Sequence, residues 1–224
     1  AIIGFHVDQD PAPILMLQPT EHMAEAFSKD RLAPMIRDTP ALKDKIADPR
    51  SRDSGNSILH KRFAGGHLTL AGSNSPAGLA SRPIRIVLCD EVDRYPASAG
   101  SEGDPVNLSI KRTATFWNRR IVLTSTPTIK GASRIDMAYE NSDQRHFYVP
   151  CPHCGTFHIL KWENCRWPPG EPDRAIMVCP ECAAEIEESY KPNLLAHGDW
   201  RAEMPFNGIT GFHINELYSP WRKW

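Results

Sequence analysis

The chain has 224 residues, of which 41% are hydrophobic and 24% charged, so it is long enough for one large domain or two small ones and can bury a core. Its formal net charge of −1 excludes an overall basic excess, so any contact with nucleic acid must come from local patches. Twenty prolines exclude a long helical bundle, and no apolar run approaches the roughly 20 residues of a membrane-spanning helix. We therefore expect a soluble, cytoplasmic protein without membrane contact.

The beginning of the chain predicts a strand followed by a helix. Residues 14–17 are a continuous apolar run, which is typical of a strand covered on both faces. Thr20 is a plausible N-cap for the helix that follows, and Pro34 is expected to end or bend that helix. The polar residues 38–56 predict a surface loop.

A hairpin and a second buried strand come next. Residues 57–63 and 67–72 flank an Ala-Gly-Gly turn and predict two paired strands. Ser75 and Pro76 are expected to start a short helical turn. The strongest pattern for a buried strand is IRIVL at residues 84–88.

A helix, a strand and another helix complete this part of the chain. Asp104, which precedes a proline, is expected to cap a helix that runs to about Asn118. Residues 121–123 predict a third buried strand, and Ser133 is expected to cap a helix through Tyr139. This order of elements predicts an α/β domain with a largely parallel sheet.

Polar residues follow two of the predicted strands. Asp90 and Glu91 come directly after residues 84–88, at the end of a strand where ligands of parallel sheets collect. Asp90 would hold the water shell of Mg²⁺, and Glu91 would orient and polarise the water that attacks the γ-phosphate of ATP. Ser125 and Thr126 end the next strand, where their hydroxyls would lie near the phosphates. Taken alone, Asp90 and Glu91 could also be a solvated strand end without a catalytic role. Ser125 and Thr126 could equally be an ordinary polar turn after a strand.

Four of the six cysteines form two CxxC pairs separated by 24 residues, namely Cys151 with Cys154 and Cys179 with Cys182. Each pair turns tightly enough to present two thiolates to one ion, so the set predicts a tetrahedral structural zinc site in a zinc-ribbon-like module. Iron is a competing ion, and redox-active or incidental thiols are the alternative interpretation.

The joint pattern resembles the phage terminase large subunit of the lambda (GpA) type over nearly the whole chain. The matching segments are GSNSPAGLASR at 72–82, DEVDRYP at 90–96, STPT at 125–128, CPHCG at 151–155 and GFHINELYSPW at 211–221. The resemblance implies a partial P-loop NTPase core of the ASCE/RecA-like class and an ATP- and Mg²⁺-dependent motor. Such a motor pumps viral DNA into a procapsid in the host bacterial cytoplasm.

The resemblance also assigns residue roles. It implies that Asp90 is the Walker B magnesium residue, that Glu91 is the catalytic carboxylate, and that Ser125 and Thr126 couple hydrolysis to movement. The expected partners are double-stranded viral DNA, the small terminase subunit and the portal of the procapsid.

Motors of this type form homo-oligomeric rings in which an arginine completes the catalytic site. Arg82 and Arg85 flank the strand that leads to Asp90, so the resemblance makes either of them a candidate for this role, in cis or in trans.

The resemblance implies three segments. Residues 1–147 would be a partial motor domain, residues 148–200 the four-cysteine module, and residues 201–224 the end of the ATPase region. No GxxxxGK[ST] phosphate loop occurs in the chain, so we expect it before Ala1, and we expect a nuclease domain that cuts concatemeric DNA after Trp224. The piece alone is therefore expected to be inactive. The alternatives are a helicase-like DNA translocase and a non-catalytic zinc-ribbon module that binds DNA or protein.

Overall fold

The structure is a computed structural model that describes residues 1–46, 55–75, 82–129 and 131–224. The chain divides into two compact units, residues 1–135 and residues 136–224. The first carries 18 basic and 14 acidic side chains and the second carries 8 and 13, so positive charge is concentrated in the first unit. No helix of the described ranges is long and apolar enough to cross a membrane. The boundary expected at residue 147 stays a prediction.

The described residues of the first unit form a five-stranded sheet. Its strands are β1 (Pro13–Gln18), β2 (His60–Phe63), β3 (Gly66–Gly72), β4 (Ile86–Asp90) and β5 (Arg120–Thr124). The order across the sheet is β2-β3-β1-β4-β5, and every neighbouring pair is parallel except the β2–β3 hairpin. The predicted α/β architecture, its largely parallel sheet and its hairpin are therefore confirmed.

Helices precede and follow these strands. They are α1 (Ile2–Asp8), α2 (Glu21–Phe27), α3 (Ala33–Asp38), α4 (Pro40–Lys43), α5 (Pro105–Lys111) and α6 (Arg134–Glu140). Two predicted N-caps are confirmed. Thr20 Oγ1 accepts a hydrogen bond from the Met23 backbone N–H at 3.2 Å, and Asp104 Oδ1 accepts one from the Asn107 N–H at 2.9 Å. Each cap satisfies a backbone donor that has no partner inside its helix.

Pro34 does not end the helical region. A π-helical turn, Ser28–Leu32, follows α2, and Pro34 lies in the first turn of α3, where the N–H that proline lacks is not needed. The segment predicted as a loop contains α4, and its residues 47–54 lie outside the described residues. The helical turn predicted at Ser75 and Pro76 also falls outside, because residues 76–81 are not described.

Helix α5 ends at Lys111 rather than near Asn118. The backbone N–H and the Oγ1 hydroxyl of Thr113 both donate to the carbonyl of Ile110, at 2.9 and 2.7 Å, and this closes the last turn. Two residues further on, the carbonyl of Arg112 accepts a hydrogen bond from the Ile84 N–H at 3.1 Å, so it is not available to a longer helix. Strand β5 is half-exposed because it is the last strand of the sheet, not a buried one as the sequence predicts.

Side-chain alternation along β1 gives the sheet a core on each face. Ile14 and Met16 pack into one buried cluster, and Leu15 and Leu17 pack into the other. Both faces of β1 are therefore covered, as its continuous apolar run predicts. Truncation of a fully buried leucine such as Leu17 to alanine is expected to cost about 2–5 kcal/mol of stability.

The second unit is built on short strands around one apolar cluster. Its elements are β6 (Arg145–Pro150), β7 (Phe157–His158), β8 (Cys165–Arg166), β9 (Ile176–Val178), β10 (Glu185–Ile186), α7 (Lys191–Ala196), β11 (Asp199–Ala202) and β12 (Phe212–His213). Strand β6 pairs with β7, β11 and β12, while β8, β9 and β10 form an antiparallel sheet of their own. Tyr218 joins two segments, because its hydroxyl donates to the Phe147 carbonyl at 2.6 Å and accepts from the Leu160 N–H at 2.8 Å.

Candidate functional site

The carboxyl ends of the parallel strands bring polar residues to one edge of the first unit's sheet. Strand β1 ends at Gln18 and β3 at Gly72, which are register partners. Strand β4 ends at Asp90 and β5 at Thr124, which are also register partners. This edge is where ligands of parallel α/β sheets bind. The two acids and the hydroxyl run that the sequence singles out therefore lie on neighbouring strands.

Asp90 is held by a neighbour on each side. The buried Gln18 donates from Nε2 to Asp90 Oδ2 at 3.0 Å, and Thr124 donates from Oγ1 to Asp90 Oδ1 at 2.8 Å. Each carboxylate oxygen has a second lone pair, so the group can still accept from the water shell of a cation. Gln18 and Thr124 are site residues that the sequence analysis missed, although their positions at strand ends could have indicated them.

A cleft borders Asp90. It has a volume of about 650 Å³ and a mostly apolar lining that comes from α1, α2, the π-helical turn, α3, β1, β4 and β5. Asp90 and Thr124 supply polar groups at its wall, and Arg31 supplies a positive charge. A concave, largely apolar space with few polar groups is typical of a small-molecule site.

Glu91 occupies a backbone conformation that is uncommon outside glycine. Its φ of 57° and ψ of 48° place it in the left-handed region, at a cost of roughly 1–3 kcal/mol that the surrounding structure must offset. Its carboxylate lies 3.4 Å from Nε of Arg94, in an ion pair whose arginine is largely exposed. Such an exposed pair contributes little free energy, so it does not by itself fix the Glu91 side chain.

Asp93 connects the acidic loop to the hydroxyl run. Its backbone N–H donates to Ser125 Oγ at 3.2 Å, and its Oδ2 accepts from the N–H and Oγ1 of Thr128 at 3.0 and 3.1 Å. Its Oδ1 accepts from the Ile135 N–H at 2.9 Å, in the first turn of α6. Burial by itself raises the pKa of Asp93, but hydrogen bonds from Ser133, Ile135 and Thr128 together lower it. The sequence analysis assigned no role to Asp93 or Thr128.

Ser125 and Thr126 differ in their surroundings. Ser125 is half-buried, accepts from Asp93 and donates to the Thr126 carbonyl at 3.2 Å. The Thr126 side chain is exposed, and no contact of its hydroxyl occurs among the described residues. The hydroxyl that touches Asp90 belongs to Thr124, one residue before the predicted pair.

Neither predicted arginine lies beside Asp90 in the same chain. Arg85 precedes β4, so it lies at the opposite end of the strand from Asp90, at a distance of about 16 Å for five extended residues. Its guanidinium forms an ion pair with Asp10 at 2.5 Å and thereby lowers the pKa of Asp10. Arg82 is exposed on the same side, where its charge adds to the burial that lowers the pKa of His67. The geometry within this chain therefore gives no support to an action in cis, and the role of the two arginines stays a prediction.

The four cysteines of the second unit converge. Their sulfur atoms all lie within 4.8 Å of one another, with Cys151 to Cys182 at 3.8 Å and Cys154 to Cys179 at 3.9 Å. A tetrahedron of thiolates about 2.3 Å from zinc has edges of about 3.8 Å, which the two shortest of these distances match. All four cysteines are free, and their sulfurs are too far apart for a disulfide.

The two CxxC turns repeat the same backbone geometry. The N–H of Gly155 donates to the Cys151 carbonyl at 2.9 Å, and the N–H of Ala183 donates to the Cys179 carbonyl at 3.0 Å. Both donors are left-handed, with φ of 73° and 57°. His153 lies inside the first turn, but its Nε2 contacts the Glu185 carbonyl at 3.1 Å and is not part of the sulfur cluster.

Comparison with known proteins gives one family. A family model described as "Phage terminase large subunit gpA, ATPase domain" matches residues 1–200. The terminase large subunit of Enterobacteria phage P21 is 29% identical over 250 aligned residues, which cover 99% of this chain and 38% of that protein. The corresponding subunit of Escherichia phage lambda is 25% identical, with 100% of this chain and 39% of that protein covered. The chain thus spans less than two fifths of the length of these curated relatives.

Two solved structures are also similar. The large terminase ATPase domain of Thermus phage P74-26 is 13% identical, covers 57% of this chain and 53% of its own, and has a TM-score of 0.37. A point mutant of the same Thermus phage domain is 12% identical, covers 70% of this chain and 64% of its own, and has a TM-score of 0.40.

Proposed function

The chain belongs to the family of ATPase domains of phage terminase large subunits, and from this premise we propose that it is part of an ATP-driven motor that packages viral DNA. The observation that carries the proposal is the arrangement at Asp90. A carboxylate held by Gln18 and Thr124 lies at the ligand-binding edge of a parallel sheet, beside a cleft. This arrangement favours a P-loop NTPase core of the ASCE/RecA-like class.

Asp90 and Glu91 would divide the work at this edge. The hard oxygens of Asp90 suit Mg²⁺, and the two hydrogen bonds to its carboxylate keep those oxygens in place. A Mg²⁺ ion held at Asp90 would supply positive charge that offsets the negative charge developing on the phosphates during hydrolysis. Glu91 follows directly and would orient and polarise the attacking water.

Ser125 and Thr126 would couple hydrolysis to movement. Ser125 contacts the backbone of Asp93, two residues beyond Glu91, so a change in the acidic loop would reach the end of β5 directly. The exposed hydroxyl of Thr126 would be free to respond to the phosphates.

The four cysteines would hold a structural Zn²⁺ in a zinc-ribbon-like module at residues 148–200. The donor set of four thiolates supports this assignment, and so do the sulfur distances, which are 3.8 and 3.9 Å for two pairs and within 4.8 Å for all. Cys151 and Cys179 are buried in the apolar cluster of the second unit, so the metal would anchor that cluster.

We place the motor in the host bacterial cytoplasm, with double-stranded viral DNA, the small terminase subunit and the portal of the procapsid as partners in a homo-oligomeric ring. The basic excess of residues 1–135 favours that unit over the acidic second unit for contact with DNA.

Arg82 or Arg85 would complete the site of a neighbouring subunit. Residues 1–147 would belong to the motor domain and residues 201–224 to the end of the ATPase region. The endonuclease activity would reside in a further domain, and the present piece alone would be inactive.

The decisive experiment measures ATP turnover by the full-length protein. Glu91→Gln is expected to abolish hydrolysis while binding of a fluorescent ATP analogue persists, because the amide keeps the shape but cannot act as a base. Glu102→Gln changes an exposed carboxylate of the same unit and is the matched control. Retained turnover in Glu91→Gln would refute the assigned role.

A further inference from the structure

The loop after Glu91 is held by one side chain from far along the chain. Arg134, in the first turn of α6, donates from Nη1 to the carbonyls of Val92 and Tyr95 at 3.1 and 2.9 Å, and from Nη2 to the carbonyl of Pro96 at 2.7 Å. Three carbonyls of one short loop therefore share a single guanidinium. Only arginine presents several donors in a fixed planar geometry, so lysine could not reproduce this set.

Asp104 fixes the orientation of that guanidinium. Its Oδ2 accepts from Arg134 Nε at 3.1 Å and lies 3.0 Å from Nη2. Both side chains are mostly buried, with exposures of 22% and 28%, so the pair is less screened by water than a surface ion pair. Asp104 accepts from the N-terminal end of α5 through its other oxygen, so it is itself tied to a helix.

Glu91 needs such support. Its left-handed backbone is a conformation that persists only where the surroundings determine it. Among the described residues, its side chain pairs only with Arg94, whose guanidinium is largely exposed. The residues directly after it, Val92–Arg94, form a single 3-10 turn. The carbonyls that Arg134 binds lie within this turn and just beyond it, so the guanidinium sets the path of the chain that leaves Glu91.

We propose that Arg134, oriented by Asp104, is a positioning residue that holds Glu91 in its left-handed conformation for hydrolysis. The proposal rests on the proposed function, since it deepens the role of Glu91. Arg134 acts through the loop backbone and not on the nucleotide, so it is not an arginine of the ring-completing kind. This positioning role predicts that loss of Arg134 lowers the rate of ATP turnover but leaves the affinity for ATP unchanged.

The test uses the full-length protein with Arg134→Gln, Arg134→Lys and Asp104→Asn. Asparagine is as good an N-cap as aspartate, so Asp104→Asn removes the ion pair while α5 stays capped. In each variant kcat is expected to fall by about 10- to 100-fold, because small misplacements of a catalytic group have this effect, while KM for ATP stays within about twofold. Arg174→Gln, which breaks an exposed ion pair of the second unit, is the matched control.

Hydrogen exchange followed by mass spectrometry supplies a second readout. The amides of Arg94 and Tyr95, which donate to the carbonyls of Glu91 and Val92, are expected to exchange faster in the variants, with other segments unchanged. Unchanged kcat despite faster exchange overturns the proposal, and so does a parallel loss of ATP binding and global folding. If the wild type hydrolyses no ATP, or if Glu91→Gln retains turnover, the proposed function itself fails and the positioning role falls with it.

Discussion

Thr124 donates a hydrogen bond from Oγ1 to Oδ1 of Asp90 at 2.8 Å, across two parallel strands that place the two residues in register. The valine variant Thr124→Val keeps the shape of this side chain and removes the donor. Because contacts that orient a metal-binding carboxylate typically account for about 10- to 100-fold in metal affinity, we expect hydrolysis by the full-length protein to need at least about tenfold more Mg²⁺. Turnover measured against Mg²⁺ concentration checks this. Thr124→Ser restores the donor, so an equal defect in both variants would contradict the assigned contact.

Asp93 is predicted to stabilise the first unit. In the wild type, N–H groups of Thr128 and Ile135 donate to the Asp93 carboxylate. Asp93→Asn turns an amide N–H₂ toward one of these donors, so the free energy of unfolding is expected to fall by about 1–3 kcal/mol. Since the pKa of Asp93 is lowered in the folded chain, its contribution is complete above the unfolded pKa of about 3.9 and is lost as the pH falls through the folded pKa. Urea unfolding should therefore separate the variant from the wild type at pH 7 more than at low pH. Asp30→Asn, an exposed carboxylate of the same unit, is the control; a pH-independent difference would count against this assignment.

The sulfur cluster predicts one zinc ion per chain. Metal analysis should find about one equivalent in the wild type and much less in Cys154→Ser, while Cys165→Ala, which changes a cysteine outside the cluster, should retain the metal. Chelation is expected to unfold the second unit, because a small module with short strands depends on its metal. Tryptophan fluorescence reports this, since five of the six tryptophans lie in residues 136–224. An unchanged spectrum in a chain free of metal would reject a structural role.

The two arginines can be separated by subunit mixing. Arg82→Ala leaves the Glu91 of its own subunit intact, whereas Glu91→Gln leaves Arg82 intact. If Arg82 completes a neighbouring site, mixing full-length Arg82→Ala with full-length Glu91→Gln restores part of the ATP turnover. Some interfaces then pair a wild-type Arg82 of one subunit with a wild-type Glu91 of the next. The absence of restoration would argue against an action in trans.

Arg85 is expected to behave differently. Its guanidinium is largely buried against Asp10, and its Nε has no partner among the described residues. Arg85→Ala should therefore lower the denaturation midpoint of the first unit, since it removes a largely buried guanidinium that pairs with Asp10 and contacts the Asp10 carbonyl at 3.0 Å. Arg37→Ala, which breaks an exposed pair, should not. A lowered midpoint in both, or in neither, would contradict the structural role of Arg85.

Local patterns predicted much of the fold. The apolar runs of β1 and β4 and the caps Thr20 and Asp104 each carry their signal within a few residues, and each appears in the structure as expected. The sulfurs of the two CxxC pairs converge, while the zinc that they indicate stays a prediction. The early end of α5 was not predictable in this way. It depends on the carbonyl of Arg112 reaching the Ile84 N–H, which the local sequence does not encode.

The candidate site also depends on contacts between residues that are distant in sequence. The sequence indicated Asp90 and Glu91 because they directly follow a strong strand. Their positions at strand ends make Gln18 and Thr124 candidates, but the local sequence does not encode that they hold the Asp90 carboxylate, because they lie 72 residues before it and 34 residues after it. Arg85 looked close to the site because it is close in sequence, but an extended strand moves its two ends far apart.

Strand β5 has a further consequence. It pairs with β4 on one side, and no strand of the described residues pairs with it on the other. A half-exposed outer strand offers its backbone donors and acceptors to any extended segment, including β5 of another molecule. The chain as a 224-residue piece is therefore expected to self-associate through edge-to-edge strand addition at high concentration. Size-exclusion chromatography at increasing protein concentration checks this expectation.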